Sequence, residues 1–414
     1  MAWELGLELS KSFFARTLAG VVDGCEVRIE GKKDGRLERV VVQGGPTFAD
    51  LTIRPISTSA PFRGLQTSDE GFDARVFLMG PEAATLSLMH HEARAATVDV
   101  VVKGGATVAH RQVRLEEGSA RVLRGRISGE LDGKAVAKFV RRMLDLVRVL
   151  SNDAPIVERL AHNVTSDERV AVRRKNFGLM TTYFGDDIET RRAARMLLAH
   201  FDYELRLDAA THLAAHDPSD LAHVEAIFHA KRAPTRVRLL ALTRLLTALD
   251  ADARIETLTK VLRHEDGATR LHALDFARRH RLALPDAIVT YLFGRDDAET
   301  VAATCRWVAA VAQGQTPYEP QLFRTLRYQG LQAKLAAAEA LGIAGGRDAV
   351  PELRRVLNGL VDAVLRTKAE DALARIQSRL AHAPGGLSIA DEDKGAGAVS
   401  LTGETGTLSL PGQK

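Results

Sequence analysis

The chain has 414 residues, of which 45% are hydrophobic, 27% charged and 5% aromatic, and its formal net charge is +4. These values are ordinary for a globular protein of two or three domains, and the low aromatic content disfavours an aromatic-rich binding groove. No stretch approaches the run of about 18 apolar residues that a membrane span needs. The net charge is about +3 for 1–150, about +3 for 151–380 and about −2 for the remainder, whereas a nucleic-acid-binding protein usually concentrates its basic excess on one domain.

The first twenty residues do not predict a signal peptide. Glu4 and Glu8 occur early, and no basic region precedes an apolar run. We expect instead an amphipathic helix that covers the N-terminal domain. The only two cysteines, Cys25 and Cys305, are far apart in sequence. Reduced, independent thiols are the simple interpretation, and they favour the cytoplasm.

Residues 1–150 mix the patterns of strands and helices. Two alternating runs flank the Asp-Gly pair at 34–35, which predicts a β-hairpin. Residues 50–57 predict a further strand, and a second hairpin is expected to turn at the Glu-Gly pair at 117–118. This mixture is typical of an α+β domain.

Two helices complete the prediction for this domain. Residues 73–89 predict a strand followed by a helix, with Pro81 in its first turn. Residues 134–150 form an amphipathic helix, because their apolar side chains fall on one stripe. The residues of that stripe are Val136, Phe139, Val140, Met143, Leu144 and Val147.

The run LQTSDEGFDARVFLMG, residues 65–80, is similar to an uncharacterised bacterial domain. In that family a Thr-Gly-Asp-like stretch precedes a Phe-Asp strand, and Ser68 stands here where glycine is expected. The resemblance brings no known activity. It implies only a cytosolic α+β module.

A pattern of period about 32 follows, in which a basic residue precedes a small residue by three positions and an apolar one by seven. A small side chain lets two helices cross closely, and the apolar residue four positions later lies on the same helical face. Proline, glycine and aspartate separate the two helices of each copy. Arg174 and Phe177 keep this register, so the first copy is expected to begin near 165. The small residues are Ala209, Ala241, Ala273, Ala303, Ala337 and Ala369.

Residues 331–380 resemble the short bacterial HEAT-like repeats first named for phycobilin lyases, and the resemblance extends over 165–382. It implies an all-α HEAT-like α-solenoid of about six helix pairs, with second helices on the concave face and one continuous core. Residues 151–164 are interpreted as a linker or capping segment. The sequence thus predicts a multidomain chain, with an N-terminal α+β domain, this solenoid and a disordered C-terminal tail.

No group of residues predicts catalysis, a cofactor or a metal site. The sequence contains no GxSxG, no CxxC and no P-loop. His212 and His216 lie four apart on a predicted helix, but no third ligand stands at a familiar zinc spacing. Deoxyhypusine hydroxylases, a class of HEAT-repeat enzymes, hold two irons with His-Glu pairs on first helices. The His-Glu pairs at 91–92 and 264–265 lie elsewhere, so that chemistry does not carry over.

The second helices suggest a binding surface. Aligned on their leucines, they bring Lys260, Arg324 and Arg355 to equivalent positions. A basic row in the concave groove suits an acidic partner or a phosphate backbone. The alternative is a ladder with the aspartates of the loops. We therefore expect a non-enzymatic scaffold that binds protein partners. The alternatives are a nucleic-acid-binding solenoid similar to the alkylpurine DNA glycosylases, or an enzyme with its site in the N-terminal domain. The sequence does not predict the oligomeric state.

Residues 383–414 are rich in Gly, Ser and Thr and contain no aromatic residue, which predicts a disordered tail. The tail carries three short β-capable motifs. They could add strands to the sheet of a partner, or the tail could be a plain linker. Their apolar residues are Leu387, Ile389, Val399, Leu401, Leu408 and Leu410.

Overall fold

The computed structural model describes residues 5–11, 15–32, 37–43, 51–56, 64–109, 112–116, 133–312, 314–359 and 362–381. The chain divides into two compact units, Met1–Ile227 and Phe228–Lys414, which we call the first and second units. The tail with its three motifs and the pairs at 34–35 and 117–118 all lie outside the described residues. None of the described helices is long and apolar enough to cross a membrane.

In its described part, the first unit contains an antiparallel sheet of eight strands in the order β1-β2-β3-β4-β8-β7-β5-β6. Buried branched side chains such as Val27, Val40, Val42 and Ile53 alternate with more exposed ones along the strands, as a half-buried sheet requires. The strands are β1 Glu8–Lys11, β2 Ala15–Val22, β3 Cys25–Lys32, β4 Leu37–Gln43, β5 Thr52–Pro55, β6 Val76–Met79, β7 Thr107–Ala109 and β8 Gln112–Glu116.

The amphipathic helix expected in residues 1–20 is wrong, because β1 and β2 pair there as antiparallel strands. The cause is the turn that follows β2. Asp23 and Gly24 both have positive φ, 50° and 79°, which is the conformation of the tight turns that join hairpin strands. β2 therefore pairs with β3. The predicted pairing of β3 with β4 across 34–35 is confirmed.

The second predicted hairpin was expected to turn at 117–118, which lies outside the described residues. Before that pair, β7 and β8 are antiparallel neighbours, with Ala109 opposite Gln112. Val108 and Val113 face each other across the two strands, and both are buried.

In the described residues four helices accompany the sheet, and the two predicted from sequence are confirmed. One begins directly after Pro81, and the other carries the predicted stripe, which is buried against β4 and the helix at 91–97. The segment Val98–Lys103 continues the third helix in π-helical geometry. The helices are α1 Glu70–Asp73, α2 Glu82–Leu88, α3 His91–Thr97 and α4 Gly133–Leu150.

The first unit also contains the beginning of the helical region. Residues 151–164 are mostly helical, since α5 starts at Ile156. Leu160 and Val164 are buried, and α5 packs against α2 and against the helix that follows α5. One hydrophobic core runs from Leu5 to Leu213. The helices are α5 Ile156–Ser166, α6 Val170–Tyr183, α7 Ile188–Leu197, α8 Tyr203–His216 and α9 Leu221–Phe228, with a 3₁₀ turn at Pro218–Asp220.

The second unit is a stack of helix pairs. Each first helix (α10, α12, α14, α16, α18) contacts the next first helix, and each second helix (α11, α13, α15, α17) contacts the next second helix. This is the layered arrangement of a helical repeat. The helices are α10 Thr235–Ala248, α11 Ala251–His264, α12 Gly267–Arg279, α13 Asp286–Phe293, α14 Ala298–Val311, α15 Glu319–Tyr328, α16 Leu331–Ala344, α17 Ala349–Leu357 and α18 Ala363–Ala381.

Five of the six small residues of the repeat are fully buried, as their position at a helix crossing requires, namely Ala209, Ala241, Ala273, Ala337 and Ala369. The sixth was assigned one position too early. Asp297 caps α14 through the Thr300 amide, just as Asp266 caps α12 through that of Thr269. Thr304, four residues after Thr300, is therefore equivalent to Ala273. Thr304 is fully buried, whereas Ala303 is only half-buried.

Candidate docking surface

The three basic residues predicted from register lie on α11, α15 and α17. Each follows a fully buried leucine by two positions, which places it on the opposite, exposed side of its helix. The side chain of Lys260 is 70% exposed and that of Arg355 is 63% exposed, and Arg324 is also exposed. Since α11, α13, α15 and α17 contact one another in sequence, the three residues share one face of the second unit.

Two further arginines extend this surface. Arg263 and Arg327 each lie one helical turn after a predicted base, and both are exposed. The alignment compared one position per helix and so missed them, although their i,i+3 spacing from Lys260 and Arg324 is visible in the sequence. We call the five residues the basic row: Lys260, Arg263, Arg324, Arg327 and Arg355.

Two carboxylates partly neutralise the basic row. Glu256 Oε1 lies 2.7 Å from Lys260 Nζ on the same helix. Glu352 accepts from Arg327 Nε at 2.8 Å and from Arg355 Nη1 at 3.1 Å. The hydrogen bond from Arg327 is the main reason why the pKa of Glu352 is lowered, so this carboxylate is ionised at neutral pH. Glu352 therefore holds Arg327 and Arg355 in place and offsets part of their charge.

The helix between these elements contributes an aromatic residue. Tyr291 of α13 follows a buried valine by two positions and so occupies the row position on its own helix. Its hydroxyl donates to the Arg263 carbonyl at 3.2 Å and accepts from Arg295 Nη1 at 3.1 Å. Tyr291 thereby joins α11 to α13 at this face.

The sequence left a second role open for the basic row, as a ladder between arginines and the aspartates of the loops. The structure shows such a ladder, but the basic residues of the first helices form it. Arg270 is nearly buried, donates to the carbonyls of Leu262 and Glu265, and lies 3.5 Å from Asp297. Arg174 makes the corresponding contact in the first unit, 3.0 Å from Asp202. The basic residue of the repeat is therefore structural.

The net charge of the helices differs between the two units. Residues 228–381 contain 24 Lys and Arg against 17 Asp and Glu, whereas 151–227 contain 9 against 13. Over 151–380 as a whole the net charge is about +3, because the acidic excess of the first stretch offsets part of the basic excess of the second. The basic excess is concentrated in the helices of the second unit, on which the basic row lies.

The first unit contains a buried ionic cluster instead. Arg94 is 3% exposed. Its Nε donates to Asp69 at 3.0 Å, and its two terminal nitrogens donate to Asp167 at 2.7 and 3.1 Å and to the Met89 carbonyl at 2.8 Å. Arg169 reaches Asp69 from the surface at 3.1 Å. We call Asp69, Arg94 and Asp167 the Arg94 brace. It ties α3 and the loop before α1 to the end of α5.

The residues that resemble the uncharacterised bacterial domain position this brace. Asp73 accepts from the Thr67 amide, the Thr67 hydroxyl and the Ser68 amide, at 2.8 to 2.9 Å. Ser68 has a φ of 69°, in the left-handed region that glycine adopts at least cost. The turn directs Asp69 towards Arg94.

Two cavities flank this turn, of about 540 and 320 Å³. In the larger, Glu82 lies 2.6 Å from Lys175 and accepts from the Tyr183 hydroxyl at 3.1 Å. The hydrogen bond from Lys175 is the main reason why the pKa of Glu82 is lowered. The smaller cavity is lined by Asp69 and Arg94. Glu82 pairs with Lys175 in the larger cavity and Asp69 pairs with Arg94 in the smaller one, which suits a structural role.

The remaining candidates for chemistry are separate from these cavities. His212 and His216 contact each other, and His216 lies 3.2 Å from Asp186. No group of three metal-ligating side chains occurs in the described part of the chain. Cys25 and Cys305 are both free thiols, and burial raises the pKa of Cys305 to about 12, so it remains protonated at neutral pH.

No protein-family model matches the chain, and no curated protein matches it in sequence. The chain is similar to several solved structures, of which three are described. An engineered protein is 17% identical, with a TM-score of 0.25, and 55% of this chain is aligned with 99% of that one. Human deoxyhypusine hydroxylase in complex with glycerol is 13% identical, with a TM-score of 0.24, over 54% and 96%. Cex1p is 10% identical, with a TM-score of 0.38, over 86% and 94%. None of these similarities bears on what this chain binds.

Proposed function

We propose that the protein is a non-enzymatic scaffold that binds an acidic segment of a partner protein on the basic row. The single observation that carries this proposal is the row itself, five exposed bases on the second helices of one stack. Charged side chains on a rigid surface attract and orient an oppositely charged partner before close contact forms. In this proposal the protein needs no cofactor and acts in the cytoplasm.

The spacing of the row defines the partner more closely. Packed helices lie about 8–10 Å apart, and an extended chain advances about 3.3 Å per residue. A peptide that crosses the second helices at right angles therefore brings every third residue opposite a new helix. The preferred partner segment is extended and carries Asp or Glu at about every third position. Arginines suit this role because a guanidinium binds a carboxylate through two parallel hydrogen bonds.

The test uses a fluorescein-labelled deca-glutamate peptide and fluorescence anisotropy with the full chain. Arg324→Glu should weaken binding at least tenfold at about 0.15 M salt, where charges further apart than about 8 Å are screened. The matched control is Arg306→Glu, an exposed arginine on the first helix α14. It changes the net charge equally and should alter the affinity less than twofold. Equal effects of the two reversals would show that only the overall charge matters and would refute the row.

Nucleic acid is the second candidate, and the basic excess of residues 228–381 favours it. A phosphate backbone could follow the same bases without any regular spacing of acids. The two candidates differ in salt dependence, because each neutralised DNA phosphate contributes about −0.9 to the slope of log K against log salt. Binding of a 20-base-pair duplex at about 0.15 M salt, tighter than the peptide and lost in Arg324→Glu, would replace the protein partner by nucleic acid.

A further inference from the structure

An acidic run follows the last helix of the second unit. Residues 391–393 read Asp-Glu-Asp, the only three consecutive acidic residues in the chain. The first of them lies ten positions after Ala381, the last residue of α18. We infer that this run docks in cis on the α15–α17 end of the basic row and masks it from partners. The inference rests on the proposed function, since it concerns the same row.

The end of α18 lies close to the start of the helices that carry this part of the row. Arg379, two residues before the end of α18, donates to the carbonyls of Gly342 and Gly345 where α16 ends and the chain turns into α17. The next amide in that turn, Gly346 N–H, donates to Glu319 at the start of α15. The tail therefore leaves the second unit beside the first turns of both α15 and α17.

The reach of the tail covers Arg324 and Arg355 but not the whole row. At about 1.5 Å per residue, Arg324 and Arg355 lie about 8 to 9 Å along their helices. One helix spacing adds about 10 Å, so the path is about 20 to 25 Å. Ten extended residues span about 33 Å, which is sufficient. Lys260 lies two second helices further on, about 20 Å beyond α15, and so remains outside the reach of residues 391–393.

The charges at the two ends of this path are complementary. Arg327 and Arg355 both contact Glu352, and Arg324 is an exposed base one turn before Arg327 on α15. Residues 391–393 provide three carboxylates on consecutive residues. Short flexible linkers give effective concentrations of about 1 mM. If residues 391–393 bind the row with a Kd of about 100 µM, their occupation in cis weakens the apparent affinity of a competing acidic peptide about tenfold. A partner must therefore compete with the tail.

The test measures the affinity of the labelled deca-glutamate peptide for full-length chains. Neutralising the run with Asp391→Asn, Glu392→Gln and Asp393→Asn should tighten binding about tenfold. The same neutralisation in a chain that also carries Arg324→Glu and Arg355→Glu should change the affinity less than twofold, because the docking place is gone. Glu404→Gln, a tail acid outside the run, is the control and should also have less than a twofold effect. Circular dichroism and thermal melts confirm that each variant is folded.

The failures of the two proposals are distinguishable. If Arg324→Glu weakens peptide binding but neutralising the tail changes nothing, the cis interaction is refuted and the scaffold proposal stands. If neutralisation tightens binding equally in the reversed background, the tail acts only through overall charge, and the cis interaction is again refuted. If the peptide binds none of the chains, both proposals fail.

Discussion

Arg94→Met is the substitution expected to destabilise the first unit most. Methionine fills much of the arginine volume but donates no hydrogen bond. Four hydrogen bonds are lost, three of them to the carboxylates of Asp69 and Asp167. The side chain of Asp167 is fully buried and that of Asp69 is 10% exposed. Both carboxylates would then remain away from water without their principal cation.

The size of the effect follows from that burial. Removing one partner of a buried ion pair costs about 3–5 kcal/mol, because the other charge is left uncompensated. Arg169 contacts the same Asp69 oxygen at 3.1 Å, but its side chain is 57% exposed. An exposed pair contributes about 0–1 kcal/mol. Arg169→Met is therefore a matched control, with the same chemistry and the same acidic partner but different burial.

Urea denaturation followed by circular dichroism gives the free energy of unfolding of each variant. Arg94→Met should lower it by about 3–5 kcal/mol, and Arg169→Met by less than about 1 kcal/mol. Adding Asp167→Asn to Arg94→Met should recover part of the loss, since it removes one uncompensated charge. Equal losses in Arg94→Met and Arg169→Met would refute the argument that burial makes this cluster a brace.

Three further predictions concern the helices. Burial lowers the pKa of His272 in the folded chain, whereas its pKa in the unfolded chain is the ordinary value near 6.5. The unfolded chain therefore binds the proton more readily, and stability falls as the pH drops below about 6.5. His272→Gln should flatten that fall in urea denaturation, and an unchanged slope would contradict the prediction. Gly342→Ala puts a Cβ 2.9 Å from the Cα of Ala372 and should lower the free energy of unfolding by about 1–3 kcal/mol. In Gly178→Ala the new Cβ meets open space within α6, so this variant should raise the free energy of unfolding by up to about 1 kcal/mol in the same assay. Asp297→Ala removes a helix cap and should cost about 1 kcal/mol, while Asp297→Asn retains most of the stability; equal losses in both would show that the cap is unimportant.

The helical repeat was predictable because its determinants are local. A small residue, an apolar residue four positions later and a capping aspartate lie within a few turns of one another, and each copy contacts only its neighbours. The one slip, Ala303 for Thr304, arose because the pattern was matched by composition and not by the cap. Asp297 and Thr300 fix the start of α14, and counting from them gives the correct position.

The joint between the sheet and the first helices was not predictable in the same way. Arg94 and Asp167 are 73 residues apart, and each reads in the sequence as an ordinary surface charge. Nothing local indicates that they meet without water between them. A change of sequence texture near 150 suggested a domain boundary there, whereas the core continues to Leu213. The residue pattern of a stretch indicates its type of secondary structure. Where a compact unit ends depends instead on which residues share its buried core.

The docking surface was less predictable than the helical repeat and more predictable than the joint. Register alone predicted Lys260, Arg324 and Arg355, because equivalent positions of a repeat face the same way. The net charge of the surface depends on which acids lie beside them, and Glu352 bridges two helices in a manner that sequence spacing does not reveal. A stack whose layers contact only their neighbours also adds one or two bases, or one aromatic residue, per layer to the same face. Affinity for an acidic segment should therefore grow with the number of layers that the segment crosses, and masking the last layers should weaken a long partner less than a short one.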